Sequence, residues 1–240
     1  MYIRIASNDF FAVSKDVVSK MIAGELTAEQ AYQAFNAQLL ADEEPADNET
    51  VLTSGKAYSN VFHANGGSAA FSVMANTLRG VYGTDVLLAT ANSFTGSVLQ
   101  ADYNQKMAAS MIMPNGLMSR QRTMTGAELK EIVRAFVEGC EGGFVPFNRG
   151  SLPVVSGIAV EVKENNGGYT LTGITRNGQP LGDNDTVTVT CLATEKQMEA
   201  LLASDSGTSA GEDTWVKNTW RDYISGGAAL AEPENYMTLR

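Results

Sequence analysis

The fold is decided by a stretch that begins Asp85-Val-Leu-Leu-Ala-Thr-Ala-Asn92 and continues through Met113-Pro-Asn-Gly116, Thr125-Gly-Ala-Glu-Leu-Lys130, Ser156-Gly157 and Asn177-Gly-Gln-Pro-Leu181. The first segment holds a short, unbroken apolar run, which is typical of a strand covered on both faces. The third is a capping box that opens a helix, and the last contains an Asn-Gly turn. The order and spacing of these segments indicate a fold more clearly than any one of them indicates a reaction.

Apolar residues at helical or alternating spacing extend this pattern in both directions. Helices are predicted from Ser68 to Gly80, around residues 103–111, from Thr125 to Gly139, over 195–203, and on a face formed by Trp215, Thr219, Trp220 and Tyr223. Strands are predicted over residues 86–89, 158–162, 169–174 and 186–192, the middle two as a hairpin. Because helices and strands are interspersed, the predicted fold class is α+β, with a mixed sheet and flanking helices.

The start of the chain forms a separate part of the pattern. Residues 9–40 indicate an N-terminal helical appendage, with a capping box at Thr27-Ala-Glu-Gln30. Residues 41–50 are acidic, contain a proline and lack apolar periodicity, so they indicate a linker. We therefore expect a helical appendage with its linker at 1–48 and a larger domain at 49–240.

The composition describes a globular protein with a negative charge. Hydrophobic residues make up 44% and charged residues 18% of the chain, and the formal net charge is -10. This charge disfavours nonspecific binding to nucleic acid or an anionic membrane, because both attract clusters of Lys and Arg. No apolar stretch approaches the length of a membrane span, so membrane insertion is not expected. Cys140 and Cys191 are interpreted as two separate thiols.

The ordered segments resemble the C-terminal, substrate-binding domain of the 5'-nucleotidase and UDP-sugar hydrolase family. In that family a strand written D-x-A-L-x-N precedes P-F-G-N, T-G-x-x-L, S-G and N-G-x-P-L in this order. The likeness covers residues 68–201, somewhat more than half of the chain. It implies a 5'-nucleotidase C-terminal-domain-like fold, in which relatives stack a nucleobase between two aromatic rings and hold the nucleotide with arginines.

This sequence departs from the family pattern at the residues that carry ligand binding. The loop after the first strand, Ala91-Asn-Ser-Phe-Thr-Gly-Ser97, lacks the family's arginine, and Asn115 replaces the aromatic residue of P-F-G-N. The late G-G-D-G-aromatic loop has no counterpart, because Cys191-Leu-Ala-Thr-Glu-Lys196 leads directly into a polar segment. We therefore expect the scaffold without the family's usual base clamp.

One candidate binding loop holds Asn92, Ser93 and Thr95. These residues leave the C-terminal end of a buried strand, where sheets of this kind present ligands. Their amide and hydroxyl groups suit a sugar or phosphate, although an ordinary Asn/Ser/Thr loop explains the same residues.

A second candidate loop holds Phe147, Asn148 and Arg149. A ring stacks on a base and a guanidinium forks onto a phosphate, so this loop could replace the missing clamp. The alternative places Phe144 and Phe147 on the core and Arg149 in solvent, and the sequence does not decide between them. The predicted ligand-binding residues are Asn92, Ser93, Thr95, Asn115, Phe147, Asn148 and Arg149.

The remaining chemistry-bearing residues have simpler interpretations. His63 is the single histidine, so a hydrogen-bonding role in a loop is favoured over metal binding or acid–base catalysis. Asn65-Gly-Gly-Ser68 could seat a phosphate on backbone N–H groups, but a glycine turn followed by a serine helix cap is favoured. No nucleophile constellation is recognised, because the single histidine is not expected to activate a serine, and no catalytic residue is assigned.

These observations favour a binding domain over a self-sufficient enzyme. A two-metal phosphoesterase centre needs several converging His and Asp ligands, and one histidine does not supply them. The resemblance implies an accessory domain that binds a nucleoside, nucleotide or similar small polar metabolite. No cofactor is expected in this chain; divalent metals and catalysis would belong to an upstream domain of a longer hydrolase.

The resemblance also bears on location and on the alternative function. It implies an exported parent protein in the extracellular space or at the cell surface; if Met1 is the native start, the location is the cytoplasm instead. The alternative function is a structural or interdomain module that has lost ligand binding, which the missing arginine and aromatic residues favour.

Overall fold

The computed structural model describes residues 19–20, 22–27, 30, 49–63, 67–113, 116–138, 153–165, 168–193 and 207–240. The chain divides into two units, Met1–Glu49 and Thr50–Arg240. In the first unit the predicted capping box is confirmed. The Thr27 N–H donates to Gln30 Oε1 at 2.9 Å, and the Gln30 N–H donates to Thr27 Oγ1 at 3.2 Å. No helix in the described ranges is long and apolar enough to cross a membrane.

The second unit intersperses helices and strands, which confirms the α+β class. Its described helices are α1 (Ala69–Tyr82), α2 (Gln105–Ala109), α3 (Gly126–Glu138) and α4 (Val216–Ser225). Its described strands are β1 (Thr50–Ser54), β2 (Val86–Thr90), β3 (Ala101–Asn104), β4 (Met118–Thr125), β5 (Pro153–Ser156), β6 (Ala159–Asn165), β7 (Gly168–Arg176), β8 (Gln179–Pro180), β9 (Thr186–Ala193), β10 (Thr208–Ser209), β11 (Thr214–Trp215) and β12 (Met237–Leu239).

The largest sheet is mixed and has the order β10-β4-β9-β2-β5, with β11 also paired to β4. Strands β2 and β9 run parallel, whereas β4 pairs antiparallel with β9 and β5 pairs antiparallel with β2. Helix α1 packs on β2 and β5, and both strands are buried along almost their whole length. The apolar run at residues 86–89 therefore lies in an inner strand of the sheet. Its unbroken apolar sequence fits a strand that is covered on both faces.

A second sheet has the order β12-β6-β7-β8. Strands β6 and β7 form the predicted hairpin, with Val160 opposite Ile174 and Val162 opposite Leu171. Strand β12 pairs with β6 in parallel and places Met237 opposite Val160. Helix α3 packs against β7, so the alternating apolar side chains of the hairpin join the same core as the helix. A separate antiparallel pair is formed by β1 and β3.

Two predicted helix caps are confirmed. Ser68 Oγ accepts from the Phe71 N–H at 3.4 Å at the start of α1. At the start of α3, Glu128 Oε2 accepts from the Thr125 N–H at 2.7 Å, and Thr125 Oγ1 accepts from the Glu128 N–H at 3.3 Å. Each cap satisfies backbone donors that a helix start leaves without an internal partner.

Two helix predictions are wrong in detail. Helix α1 runs through Gly80 and ends at Gly83, whose φ of 66° gives the left-handed cap that glycine adopts without steric cost. Trp215 does not lie on the buried face of α4; its residue surface is 49% exposed. The buried residues of this helix are spaced four apart and are Val216, Trp220 and Ile224.

The structure describes one of the two cysteines. Cys191 lies in β9 as a free thiol that is 1% exposed, and burial raises its pKa to about 12. The thiol therefore stays protonated and unreactive at neutral pH. Cys140 lies outside the described residues.

Candidate ligand-binding site

Four strands of the large sheet bring their connecting segments to one end. Thr90, the last residue of β2, lies opposite Pro153, the first residue of β5. Met118, the first residue of β4, lies opposite Ala193, the last residue of β9. Since β2 and β9 are parallel, both pairs lie at the same end of the sheet. This is the carboxyl end of the parallel strands, where ligands commonly bind.

The loop that leaves β2 has a fixed backbone. Residues Ala91–Ser93 form a single 3-10 turn, and the Thr95 N–H donates to the Met111 carbonyl at 3.0 Å. The Met113 N–H donates to the Ser93 carbonyl at 3.0 Å. Phe94 is 6% exposed and its ring stacks on that of Phe71, with centroids 6.0 Å apart. The loop is thus pinned by backbone pairing and by one buried ring.

The polar side chains of this loop divide into exposed and buried groups. Asn92 and Thr95 are exposed, and their side chains have no hydrogen-bond partner within the described ranges. Ser93 is 1% exposed, and its buried Oγ lacks a hydrogen-bond partner among the described atoms. Ser97 has a structural role, since its Oγ donates to Asn60 Oδ1 at 3.1 Å. The amide of Asn92 and the hydroxyl of Thr95 are therefore available to a ligand.

The rest of the predicted site is not described. Asn115, Phe147, Asn148 and Arg149 lie outside the described residues, so their part in ligand binding stays a prediction. The structure places Met113, two positions before Asn115, directly against Ser93 through the backbone bond. The first predicted loop and the chain next to Asn115 are thus neighbours.

The segment around His63 is structural in its described part. The His63 and Gly67 backbones exchange two hydrogen bonds of 3.0 Å each. The Ser68 N–H donates to the Tyr236 hydroxyl at 3.2 Å, so this donor at the start of α1 is already used. The described contacts support the serine cap and assign no ligand to this helix start.

A polar cavity of about 530 Å³ lies at the other end of β2, and the sequence did not predict it. Its charged lining residues are Arg79 of α1, Asp85, Arg176 and Glu234. Asp85 forms an ion pair with Arg176, and its Oδ2 accepts from the N–H and hydroxyl of Thr188 at 2.9 Å each. Gly157 and the Asn177–Gly178 turn also line the cavity.

Electrostatics at Asp85 follow from these contacts. Burial acts to raise the pKa of its carboxyl. The hydrogen bonds from Thr188 and the charges of Arg176 and Arg79 outweigh that effect and lower the pKa below its usual value. Asp85 is therefore ionised at neutral pH and neutralises part of the positive charge of the two arginines.

A signal for this cavity was present in the sequence. Asp85, Ser156-Gly157 and Asn177-Gly178 all belong to the segments that decide the fold, and each contributes to the cavity or its support. Their order along the chain carried the information on fold. Their meeting in space depends on sheet pairing, which sequence spacing does not reveal.

Comparison with known proteins gives structural matches only. No protein-family model matches the chain, and no curated protein matches it by sequence. A 5'-nucleotidase precursor from Thermus thermophilus is similar, with a TM-score of 0.60 and 13% identity over 88% of this chain and 43% of that one. The sulfate thiohydrolase SoxB from the same species has a TM-score of 0.63 and 15% identity over 90% and 40%.

A third similar structure is the NAD nucleotidase NadN from Haemophilus influenzae, with a TM-score of 0.59 and 15% identity over 90% of this chain and 46% of that one. At such identities the likeness is one of fold. The chain spans less than half the length of each of these proteins. Taken with the ordered segments and the mixed sheet, the matches show that the chain has the fold of the C-terminal domain of the 5'-nucleotidase family.

Proposed function

We propose that this chain is the accessory, ligand-binding domain of a 5'-nucleotidase-like phosphoesterase, and that it binds a nucleoside, a nucleotide or a similar small polar metabolite. The parent is an exported protein, and an upstream two-metal domain performs the hydrolysis. One observation carries the proposal. A fixed loop with the exposed side chains of Asn92 and Thr95 leaves the carboxyl end of a central strand, in a fold that this chain shares with 5'-nucleotidases.

The chemistry of the loop fits such a ligand. The Asn92 amide both donates and accepts hydrogen bonds, so it can pair with a base edge or a ribose hydroxyl. The Thr95 hydroxyl adds a second donor and acceptor. Because the backbone is pinned at Ser93 and Thr95, little ordering entropy is lost when a ligand binds. The chain's role is to bind and orient the ligand, while bond cleavage takes place in the upstream domain.

Isothermal titration with adenosine, AMP and UDP-glucose tests the proposal. We expect saturable binding of at least one of these compounds, and we expect Asn92→Ala to weaken it by about ten-fold, the loss of one well-made hydrogen bond. Gln100→Ala is the matched control, since Gln100 is another exposed amide just beyond the loop, with no hydrogen bond from its side chain within the described ranges. If none of the three compounds binds, the proposal that this domain recognises nucleotides is wrong.

The second candidate is an interdomain module, and one observation favours it. Val61 and Leu99 are 52% and 58% exposed, on two segments that pair through Tyr58 and Val98. Exposed apolar side chains on neighbouring segments suit a contact with another domain. In the intact parent protein, Leu99→Ser would then speed proteolysis between the domains, and nucleosides would not bind. Unchanged proteolysis speaks against this candidate.

A further inference from the structure

We propose that the polar cavity between α1, β6 and the β7–β8 turn is a second binding site, for a sugar-like metabolite that carries a phosphate or carboxylate group. Arg79 would hold the anionic group. This site lies at the amino end of β2, whereas the loop with Asn92 lies at its carboxyl end. The proposal therefore stands apart from the function proposed above.

Arg79 is held in place by a chain of buried polar side chains. Its Nε donates to Ser156 Oγ at 2.8 Å, and Ser156 Oγ donates to Asn76 Oδ1 at 2.5 Å. Asn76 Nδ2 donates in turn to the Glu232 carbonyl at 2.8 Å. Ser156 is 1% and Asn76 6% exposed, so this relay is protected from water. A guanidinium fixed through Nε has lost much of its rotational freedom before a ligand arrives.

The end of the Arg79 side chain remains available. A β-carbon on Gly157 would lie 3.1 Å from Arg79 Cδ, so the arginine stem passes directly over this glycine. The two terminal amino groups of Arg79 have no hydrogen-bond partner within the described ranges, and Arg79 lines the cavity. Four N–H donors in a planar fork match the two oxygens of a phosphate or carboxylate.

The negative charge of Asp85 is already paired within the protein. Its carboxylate forms an ion pair with Arg176 and accepts two hydrogen bonds from Thr188. Arg79 influences Asp85 only through space. Glu234 is the other acidic residue of the lining, and it is exposed. The lining thus holds two guanidinium groups and two carboxylates. Since Asp85 pairs with Arg176 and Arg79 forms no ion pair within the described ranges, the guanidinium of Arg79 is the positive group that can receive an incoming anion.

The size and lining of the cavity select the rest of the ligand. A volume of about 530 Å³ lies within the range of small-molecule sites and exceeds what an inorganic anion fills. The side chains of Thr175, Asn177 and Asn235 line it and have no hydrogen-bond partner in the described part of the chain. Hydroxyl and amide groups of this kind bind the hydroxyls of a polyol better than an apolar body. A sugar phosphate or a sugar acid meets both requirements.

Calorimetric titration of the full chain with inorganic phosphate, glucose 6-phosphate and glucuronate tests the proposal. We expect saturable one-to-one binding of glucose 6-phosphate or glucuronate, and the stronger of the two identifies the anionic group. Inorganic phosphate should bind more weakly, because it lacks the hydroxyls. No saturable binding of either sugar compound would overturn the proposal.

Two pairs of variants locate the binding. Arg79→Gln should weaken it by about ten-fold or more, as expected for a lost charge-assisted bond. Arg221→Gln removes the same charge from an exposed position on α4 and should change it less than about two-fold. If both variants lose affinity equally, the effect comes from net charge alone and the proposed site is wrong.

The second pair leaves the Ser156 anchor intact, in case Arg79→Gln fails to fold. Ala159 lines the cavity from β6, beside the buried Val160. Ala159→Glu places a competing carboxylate in the cavity and should abolish binding, whereas Ala159→Ser should retain it. Asn92→Ala should also retain it, since that residue belongs to the other site. Full binding by Ala159→Glu would contradict the assignment.

Discussion

Gly157 stands at a position that glycine alone fits. Its φ is 82°, and a β-carbon there would lie 2.0 Å from the Asp85 carbonyl oxygen. The backbone directly after β5 therefore approaches the residue before β2 more closely than a side chain at position 157 would allow. The Ser156-Gly157 pair has two roles, because the serine holds Arg79 while the glycine permits the approach.

Substitution at this glycine should be costly. Gly157→Ala combines a left-handed backbone with a clash against main-chain atoms, and we expect it to lower the free energy of unfolding by about 3 kcal/mol. Gly178→Ala is the control: its φ is 75°, yet nothing lies within 4 Å of the added carbon. That change should cost only about 1 kcal/mol. Urea denaturation compares the two, and equal losses would show that the approach to Asp85 is unimportant.

The carboxylate of Asp85 should make stability depend on pH. Its pKa is lowered in the folded state, so its contribution is present above the unfolded value of about 3.9 and is lost as pH falls through the lower, folded value. Asp85→Asn should therefore be less stable than the wild type at pH 7, with the gap closing in this acid range. Asp183→Asn, at an exposed partner of Lys130, is the control. A gap that stays constant with pH would contradict the ion pair.

At the scale of elements, the start of α3 depends on Glu128. Its Oε2 accepts from the Thr125 N–H, and its Oε1 accepts from the Gly207 N–H at 3.2 Å. Glu128→Ala should lower the free energy of unfolding by about 1 kcal/mol, the usual cost of a lost helix cap. Glu131→Ala, three residues on in the same helix, should cause no measurable change, since its ion pair with Arg134 is exposed. Similar losses in thermal melts would argue against the cap.

Trp220 joins two helices. It is 0% exposed, and its indole N–H donates to the Ala108 carbonyl of α2 at 2.7 Å. Trp220→Phe removes this hydrogen bond, although the Ala108 carbonyl still accepts from the Met111 N–H, and it also removes buried surface, so we expect a loss of about 2 kcal/mol. Trp215→Phe, at a half-exposed ring, should be close to neutral. Circular dichroism in urea measures both, and a neutral Trp220→Phe would show that the bond contributes nothing.

Several elements were predictable and others were not. The caps of α1 and α3 and the β6–β7 hairpin were predicted, because each is encoded by neighbouring residues. Strand β4 was missed because its middle, Arg120-Gln-Arg122, is polar and only partly buried. Strand β12 is three residues long and pairs with β6 from far along the chain. Strands of this kind form through tertiary pairing, which local pattern does not report.

At the scale of the molecule, the candidate site was predictable only in part. That Asn92, Ser93 and Thr95 follow a strand was predictable, because the apolar run had already revealed that strand; their part in ligand binding stays a prediction. The difference in burial between Ser93 and the exposed Asn92 and Thr95 was not predictable, since it depends on Phe94 packing against Phe71. The cavity at Arg79 was missed for a similar reason, as it is assembled from α1, β6 and the turn after β7.

The unit Thr50–Arg240 should fold by itself. The buried apolar residues described in it form one cluster that extends from Leu52 to Met237. A fragment of residues 50–240 should therefore show a fixed near-ultraviolet circular dichroism spectrum and one cooperative transition in urea. The full chain is the reference. A fragment without the near-ultraviolet signal, where the full chain has it, would show that residues 1–49 are needed.

The place of β12 has a consequence for synthesis. Tyr236 and β12 complete the second sheet, and the Tyr236 ring lies where a β-carbon on Gly67 would be, 2.2 Å from its Cζ. Ribosomes make these residues after every other described strand, so β6 keeps an open edge until they emerge. An unpaired edge is a template for other nascent chains. Translation that stalls before position 236 should therefore yield an aggregation-prone product. A chaperone that covers the edge of β6 would protect this product from aggregation.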